Sequence, residues 1–207
     1  MDTHVVDHPL VADRLRTLRD AATDTAGFRA ATDSLGTMLC YEATRSLPTR
    51  EVDVRTPVAA TTCRELTDAP LLVPVLRAGL GLLDPAIRLL PGAQVGFVGL
   101  ARDEESHEPV SYLASLPEDL GGRHVLVLDP MLATGGSLVA TLDELARRGA
   151  RAMTAVCVLA APEGVRALAE SGHDVTLYTA SVDERLDDDA FIVPGLGDAG
   201  DRLYGPR

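Results

Sequence analysis

The chain has 207 residues and 31 acidic against 19 basic side chains, a formal net charge of −12. That length can bury one sizeable core. The acidic balance excludes the clustered Lys and Arg that a nucleic-acid backbone demands, and the longest apolar runs are too short to span a bilayer.

Cys40, Cys63 and Cys157 show no paired spacing and the five histidines are scattered, which argues against a disulfide framework or a zinc centre, and free buried thiols are expected. Met1-Asp2-Thr3-His4 lacks a basic region leading into an apolar stretch, the pattern expected of a soluble cytoplasmic protein. His8 to Asp20 reads as a helix with Leu10, Val11, Leu15 and Leu18 on one side. Thr25 to Ser46 reads as a second, carrying Phe28, Leu35, Met38, Leu39 and Tyr41. From Pro70 the pattern alternates: strand 71–76, helix 80–90, strand 94–102, a returning strand 110–116, strand 125–128, a helix from Gly136, strand 154–159, a helix opened by Pro162, and strand 175–179. Such alternation predicts an α/β fold with an open, mostly parallel sheet flanked by helices.

Ligands of open sheets bind at the carboxyl ends of the strands. Four segments fall there: Arg77 to Gly81, Arg102, Asp129 to Ser137, and Ile192 to Ala199. The third says most. Four apolar residues, Val125 to Leu128, suit a strand covered on both faces. The strand delivers Asp129-Pro130-Met131-Leu132-Ala133-Thr134-Gly135-Gly136-Ser137 onto a helix striped by Leu138, Val139, Leu142, Leu145 and Ala146 and stopped at Gly149. Small residues let backbone N–H groups approach an anion, and Thr134 and Ser137 add hydroxyl donors, so the loop suits a phosphate. It lacks the Lys of a Walker loop and the spacing of a dinucleotide fingerprint. An acid at the strand end suits the hydroxyls of a sugar phosphate. An ordinary strand-to-helix connection is the structural alternative.

Arg77 projects from the end of a buried strand, with Gly79 and Gly81 allowing backbone close to an anion. Arg102, beside Asp103, Glu104 and Glu105, reads on its own as a salt-bridged hairpin residue. Phe191 to Gly200 reads on its own as a loop of glycine turns, and Asp183, Glu184, Asp187, Asp188 and Asp189 as a solvated loop without chemistry.

The run from Asp129 resembles the phosphoribosyl diphosphate loop of type I phosphoribosyltransferases. Its Asp129-Pro130 start, where most of that family has two adjacent acids, is similar to the uracil-specific branch. Val73 to Gly81, Glu104 to Val110, Ala160-Ala161-Pro162-Glu163-Gly164, Tyr178-Thr179-Ala180-Ser181 and Pro194 to Arg202 carry the same resemblance, which extends from His8 to Gly205. It implies one type I phosphoribosyltransferase-like domain over 1–207: N-terminal helices about 8–46, an α/β core about 70–180, a hood segment about 181–207 and a flap hairpin. The implied reaction converts uracil and 5-phospho-α-D-ribose 1-diphosphate (PRPP) to UMP and diphosphate in pyrimidine salvage.

By the same resemblance Asp129 binds the ribose hydroxyls, the rest of the PRPP loop is Pro130, Met131, Leu132, Ala133, Thr134, Gly135, Gly136 and Ser137, and Arg77 and Arg102 hold the diphosphate. Ile192, Gly197, Asp198 and Ala199 take uracil, Asp198 also binds PRPP, and Asp198, Arg102 and Asp129 form the catalytic set. The implied cofactor is Mg²⁺, held through PRPP and water and not by a protein metal site. The implied partners are a second copy of the chain, in a homodimer or larger homo-oligomer, and GTP as the effector of some relatives.

Overall fold

The computed structural model describes residues 1–102 and 109–206, with backbone alone at 101, 102 and 109–111. Its elements run β1 (Asp2–Val5), α1 (Pro9–Arg19), α2 (Thr25–Ala43), β2 (Thr49–Arg55), β3 (Ala60–Leu66), β4 (Leu71–Leu76), α3 (Leu80–Leu89), β5 (Phe97–Arg102), β6 (Pro109–Ser115), β7 (His124–Leu128), β8 (Met131–Leu132), α4 (Gly136–Arg147), β9 (Ala152–Ala160), α5 (Pro162–Glu170), β10 (Val175–Val182), β11 (Arg185–Leu186), β12 (Ile192–Val193) and α6 (Ala199–Tyr204).

The apolar run of β7 explains its place. Val125 and Val127 pack on one face of the sheet with Leu138, Leu142 and Leu145 of α4 and Leu168 of α5. Leu126 and Leu128 pack on the other with α1, α2, α3 and α6. A strand covered on both faces has no polar side to alternate with. The main sheet runs β1-β10-β9-β7-β4-β5-β6, with the short β8 beside β9. Neighbours are parallel except for the antiparallel β5–β6 pair. From β4 the chain moves outward to β5 and β6, then returns on the other side of β4 as β7. That reversal opens a crevice at the carboxyl ends of β4, β5 and β7, where open sheets take their ligands.

The helical stripes are narrower than the periodicity suggests. Val11, Leu15 and Leu18 of α1 are buried, while Leu10 is 55% exposed. On α2, Phe28, Ala31, Leu35 and Leu39 face inward, and Tyr41 is 60% exposed. Each outlier sits next in sequence to a core residue, which turns it about 100° away from the buried stripe. Helix α2 also ends at Ala43, short of Ser46. Cys40 and Cys157 are buried as expected, but Cys63 is exposed on β3.

Strand β1 and the β2–β3 hairpin lack an apolar face altogether. Strand β1 is exposed along its length and is held by its ladder to β10 and by His4 stacking on Tyr178. In the hairpin only Val52 is even half-buried. Among the described residues no helix is long and apolar enough to cross a membrane.

Candidate active site

The crevice is a cleft of about 690 Å³. One wall is formed by Val75, Leu76, Arg77 and Ala78 from the end of β4, Leu100 of β5, and Asp129, Met131, Ala133 and Ser137 beyond β7. Facing it are Asp189 to Ile192 and Gly197 to Asp201. Nine expected residues therefore meet around one space: Arg77, Asp129, Met131, Ala133, Ser137, Ile192, Gly197, Asp198 and Ala199.

Other members of the loop sit differently. Pro130 and Leu132 are buried, and their carbonyls accept from β9 and its end: Val158 and Leu159 N–H to Pro130 at 2.8 and 3.0 Å, and Ala161 N–H to Leu132 at 2.8 Å. Thr134 is exposed, and Gly135 and Gly136 form the corner into α4. Arg102 closes β5; its side chain, with Asp103, Glu104 and Glu105, lies outside the described residues.

The Arg77 guanidinium reaches Asp201 at 3.8 Å, and its buried Nε finds no hydrogen-bond partner among the described residues. An unanswered buried cationic donor at a cleft wall is a ready seat for an anion. Burial pushes the Asp129 carboxyl up to about 7, against a hydrogen bond from the backbone of Met131. On the same wall, helix α4 starts from Gly135 in the left-handed region (φ 88°) with no side-chain cap. Its first N–H groups, beside Ser137, are thus left at the positive end of the helix dipole.

The glycines after β4 are explained by packing. A Cβ at Gly79 would fall 2.3 Å from the Leu128 carbonyl oxygen, and one at Gly81 would fall 2.8 Å from Leu203 Cδ1. Their close approach is thus to protein, not to the cleft. Behind the loop, α5 seats on backbone: a Cβ at Gly164 would lie 2.5 Å from the Ala133 oxygen and 2.8 Å from the Leu132 oxygen. Gly164→Ala should therefore destabilise the protein by about 1–3 kcal/mol, read as a lower urea midpoint at unchanged slope.

The facing segment is held from behind. Asp183 is buried, not solvated: Arg19 grips both its carboxylate oxygens, at 2.6 and 2.7 Å. Ser181 Oγ and Gly195 N–H also donate to it. Burial works against this charge, but the bonds from Arg19, Ser181 and Gly195 outweigh it and hold the carboxyl below its ordinary range. Asp198 is exposed, and its Oδ1 caps α6 by accepting from Asp201 N–H at 2.8 Å. Gly197 has φ 80°, and a Cβ there would meet only Arg202, at 3.9 Å, so backbone conformation and not crowding calls for glycine. The Ile192 carbonyl is packed under Gly195, where a Cβ would lie 2.0 Å from it.

Asp189, Ala190, Phe191, Gly200 and Asp201 also line the cleft and were not singled out as ligands from the sequence. Phe191, 46% exposed at the edge of a short apolar strand, was the visible signal among them.

These features agree with three comparisons. A family model described as uracil phosphoribosyltransferase matches residues 5–206. The uracil phosphoribosyltransferase of Corynebacterium diphtheriae is 58% identical over 207 residues, 100% of this chain and 98% of that protein. The solved structure of the AQ2163 protein from Aquifex aeolicus is 40% identical, with a TM-score of 0.91 over 98% of both chains. A hypoxanthine-guanine phosphoribosyltransferase from Bacillus anthracis, only 13% identical, reaches a TM-score of 0.52 over 77% of this chain and 80% of its own, so the type I sheet is shared where sequence is not. A match over nearly the whole chain, on a sheet whose crevice gathers the expected loops, makes this chain a member of the uracil phosphoribosyltransferase family.

Proposed function

We propose that the protein transfers the phosphoribosyl group of PRPP to uracil, giving UMP and diphosphate. The observation that carries this reading is the pairing, across one cleft, of a wall that offers Arg77 and the open start of α4 to anions and Asp129 to hydroxyls with the backbone-rich segment Ile192 to Ala199. In the reaction the anomeric carbon loses its bond to a diphosphate oxygen and gains one to uracil N1, whose proton is released. The transition state is oxocarbenium-like, so the protein must hold a departing polyanion and keep the base in line on the opposite face.

Asp129 takes the ribose hydroxyls, and the N–H groups from Ala133 to Ser137 take the 5-phosphate. Arg77, with Arg102, neutralises the diphosphate. Uracil is read by main-chain groups of Gly197 and Ala199 and the N–H side of Ile192. Cytosine would set a donor against a donor there, at about 1–3 kcal/mol for each unpaired group. Asp198 stands between the two substrates.

Among the described residues no three His, Cys, Asp or Glu side chains cluster into a metal cage. The cleft instead offers separate carboxylates, Asp129, Asp189, Asp198 and Asp201. That donor set suits Mg²⁺, which keeps several waters and takes substrate oxygens; when bound it neutralises the diphosphate.

We read residues 1–207 as one cytoplasmic domain with 181–207 as its hood, assembled as a homo-oligomer. A two-stranded hairpin exposed on both faces is marginal alone, and β2–β3 would gain its stability by covering a second copy. Replacing residues 49–66 by a short Gly-Ser turn should then lower the mass measured by light scattering to that of one chain.

The deciding assay mixes protein, Mg²⁺, PRPP and, in turn, uracil, cytosine, adenine, hypoxanthine and orotate. UMP should form with uracil alone; nucleotide from another base without UMP would overturn the reading. Titrating GTP into the same assay tests it as an effector.

A further inference from the structure

The segment proposed to read the base is fixed by groups that never touch the cleft. Gly195 is pinned at both ends of its backbone: its N–H donates to Asp183 Oδ2 at 2.9 Å, and its carbonyl accepts from Arg19 Nη1 at 2.9 Å. Arg19 stands in the last turn of α1, and the Asp183 side chain is 2% exposed. Asp183 Oδ1 takes Arg19 Nη2 at 2.6 Å and Ser181 Oγ at 2.9 Å, so each carboxylate oxygen is answered twice. The next residue, Leu196, gives its carbonyl to Arg202 Nη1 at 3.0 Å. Arg202 also donates to the carbonyls of Leu18, Asp20 and Thr23 and lies 4.3 Å over the Phe28 ring. Two guanidinium groups therefore tie Gly195 and Leu196, immediately before Gly197, to the corner between α1 and α2.

A buried ion pair contributes little net stability compared with apolar residues of the same volume. What this one adds is direction. A planar guanidinium gripping a carboxylate by two parallel bonds sets an angle that a greasy contact cannot, and here it orients both polar groups of Gly195. We infer that Arg19 and Asp183 are positioning residues for uracil, fixing the base-reading backbone from Gly195 to Ala199 and so setting affinity for the base. This rests on the reading of that segment as the base site. The Tyr178-Thr179-Ala180-Ser181 motif gains a purpose with it, because Ser181 completes the carboxylate's shell. The phosphate loop is anchored separately, by β9 and α5, so affinity for PRPP should not follow.

The test is steady-state kinetics in both substrates for Arg19→Lys, Ser181→Ala, Asp183→Asn and the double variant Arg19→Met/Asp183→Leu, with thermal melting alongside. Displacement of a recognition element by an ångström can cost about 10²-fold, so KM for uracil should rise about 10- to 100-fold in Arg19→Lys and the double variant. KM for PRPP should stay within about two-fold. Asp183→Asn leaves the Arg19 guanidinium, 26% exposed, without its counter-charge and should melt lowest. The double variant removes both charges and should recover most of that loss while keeping its raised KM for uracil. A purely structural pair would restore both together. If the double variant has an unaltered KM for uracil, or if KM for PRPP rises in parallel, the inference falls. Ser181→Ala, which loses one bond and no charge, carries the kinetic test if Asp183→Asn fails to fold, and an unchanged KM for uracil in Ser181→Ala and Arg19→Lys would likewise overturn it. Absence of UMP formation by the unaltered protein would instead overturn the assignment of the base site.

Discussion

Asp198→Asn should lower turnover by about 10²- to 10³-fold at saturating uracil and PRPP, with melting temperature and far-UV spectrum unchanged. Two roles meet in this side chain. Its Oδ1 caps α6, and the carboxylate stands at the cleft between the proposed substrates. Asn caps a helix about as well as Asp, so the substitution keeps the cap and removes only the charge. Asp198→Ala removes both and should also cost about 1 kcal/mol of stability. Helix α6 has six residues, too few to persist on propensity, so the cap matters to it. The pair of variants separates the roles. An Asn variant with full turnover would reduce Asp198 to a helix cap.

How much of this was legible in the sequence depended on burial. Strands β4 and β7 announced themselves because both faces are covered, and continuous apolar runs admit few other readings. Helices α4 and α5 carried their own punctuation in Gly149, at φ 90°, and Pro162. The β2–β3 hairpin gave no such signal, since strands without a buried face have no reason to alternate. The phosphate loop was readable from its acid and small residues, but the cause of the glycines after β4 was not. A glycine says that something comes close; for Gly79 that is the Leu128 carbonyl, 49 residues away in the chain. Asp183 was hidden twice over. It lies in an acid-rich run that looks solvated, and its partner Arg19 is 164 residues distant. Helix α6 does carry a signal: Asp198 followed three residues later by Asp201 is the spacing of a capped helix start.

Asp129→Asn should lower kcat/KM for PRPP about 10- to 100-fold, the cost of losing a charged acceptor for the ribose hydroxyls. The same change should make the free protein more stable, and the sign follows from burial. Folding raises this carboxyl from 3.8 to about 7, so the folded protein carries a half-buried charge above pH 7 that the unfolded chain holds in water. The resulting penalty is full above about 7, shrinks as pH falls towards 3.8, and is gone below it. Asn never carries it. The variant should therefore melt above the unaltered protein at pH 8, by about 2–4 °C for each kcal/mol relieved, and at the same temperature near pH 3.5. Kinetics should show the same group. In the unaltered protein kcat/KM for PRPP should fall as pH drops through about 7, because the hydroxyls need the ionised acceptor. The phosphate of PRPP titrates near 6 in both proteins, so the limb present in the unaltered protein and missing from the variant belongs to Asp129. Once PRPP is bound, its hydroxyls favour the ionised form, and the limb in kcat should lie at lower pH than that in kcat/KM. A variant that melts lower at pH 8 would mean the charge is answered inside the fold; one with an unaltered kcat/KM profile would remove Asp129 from the ribose site.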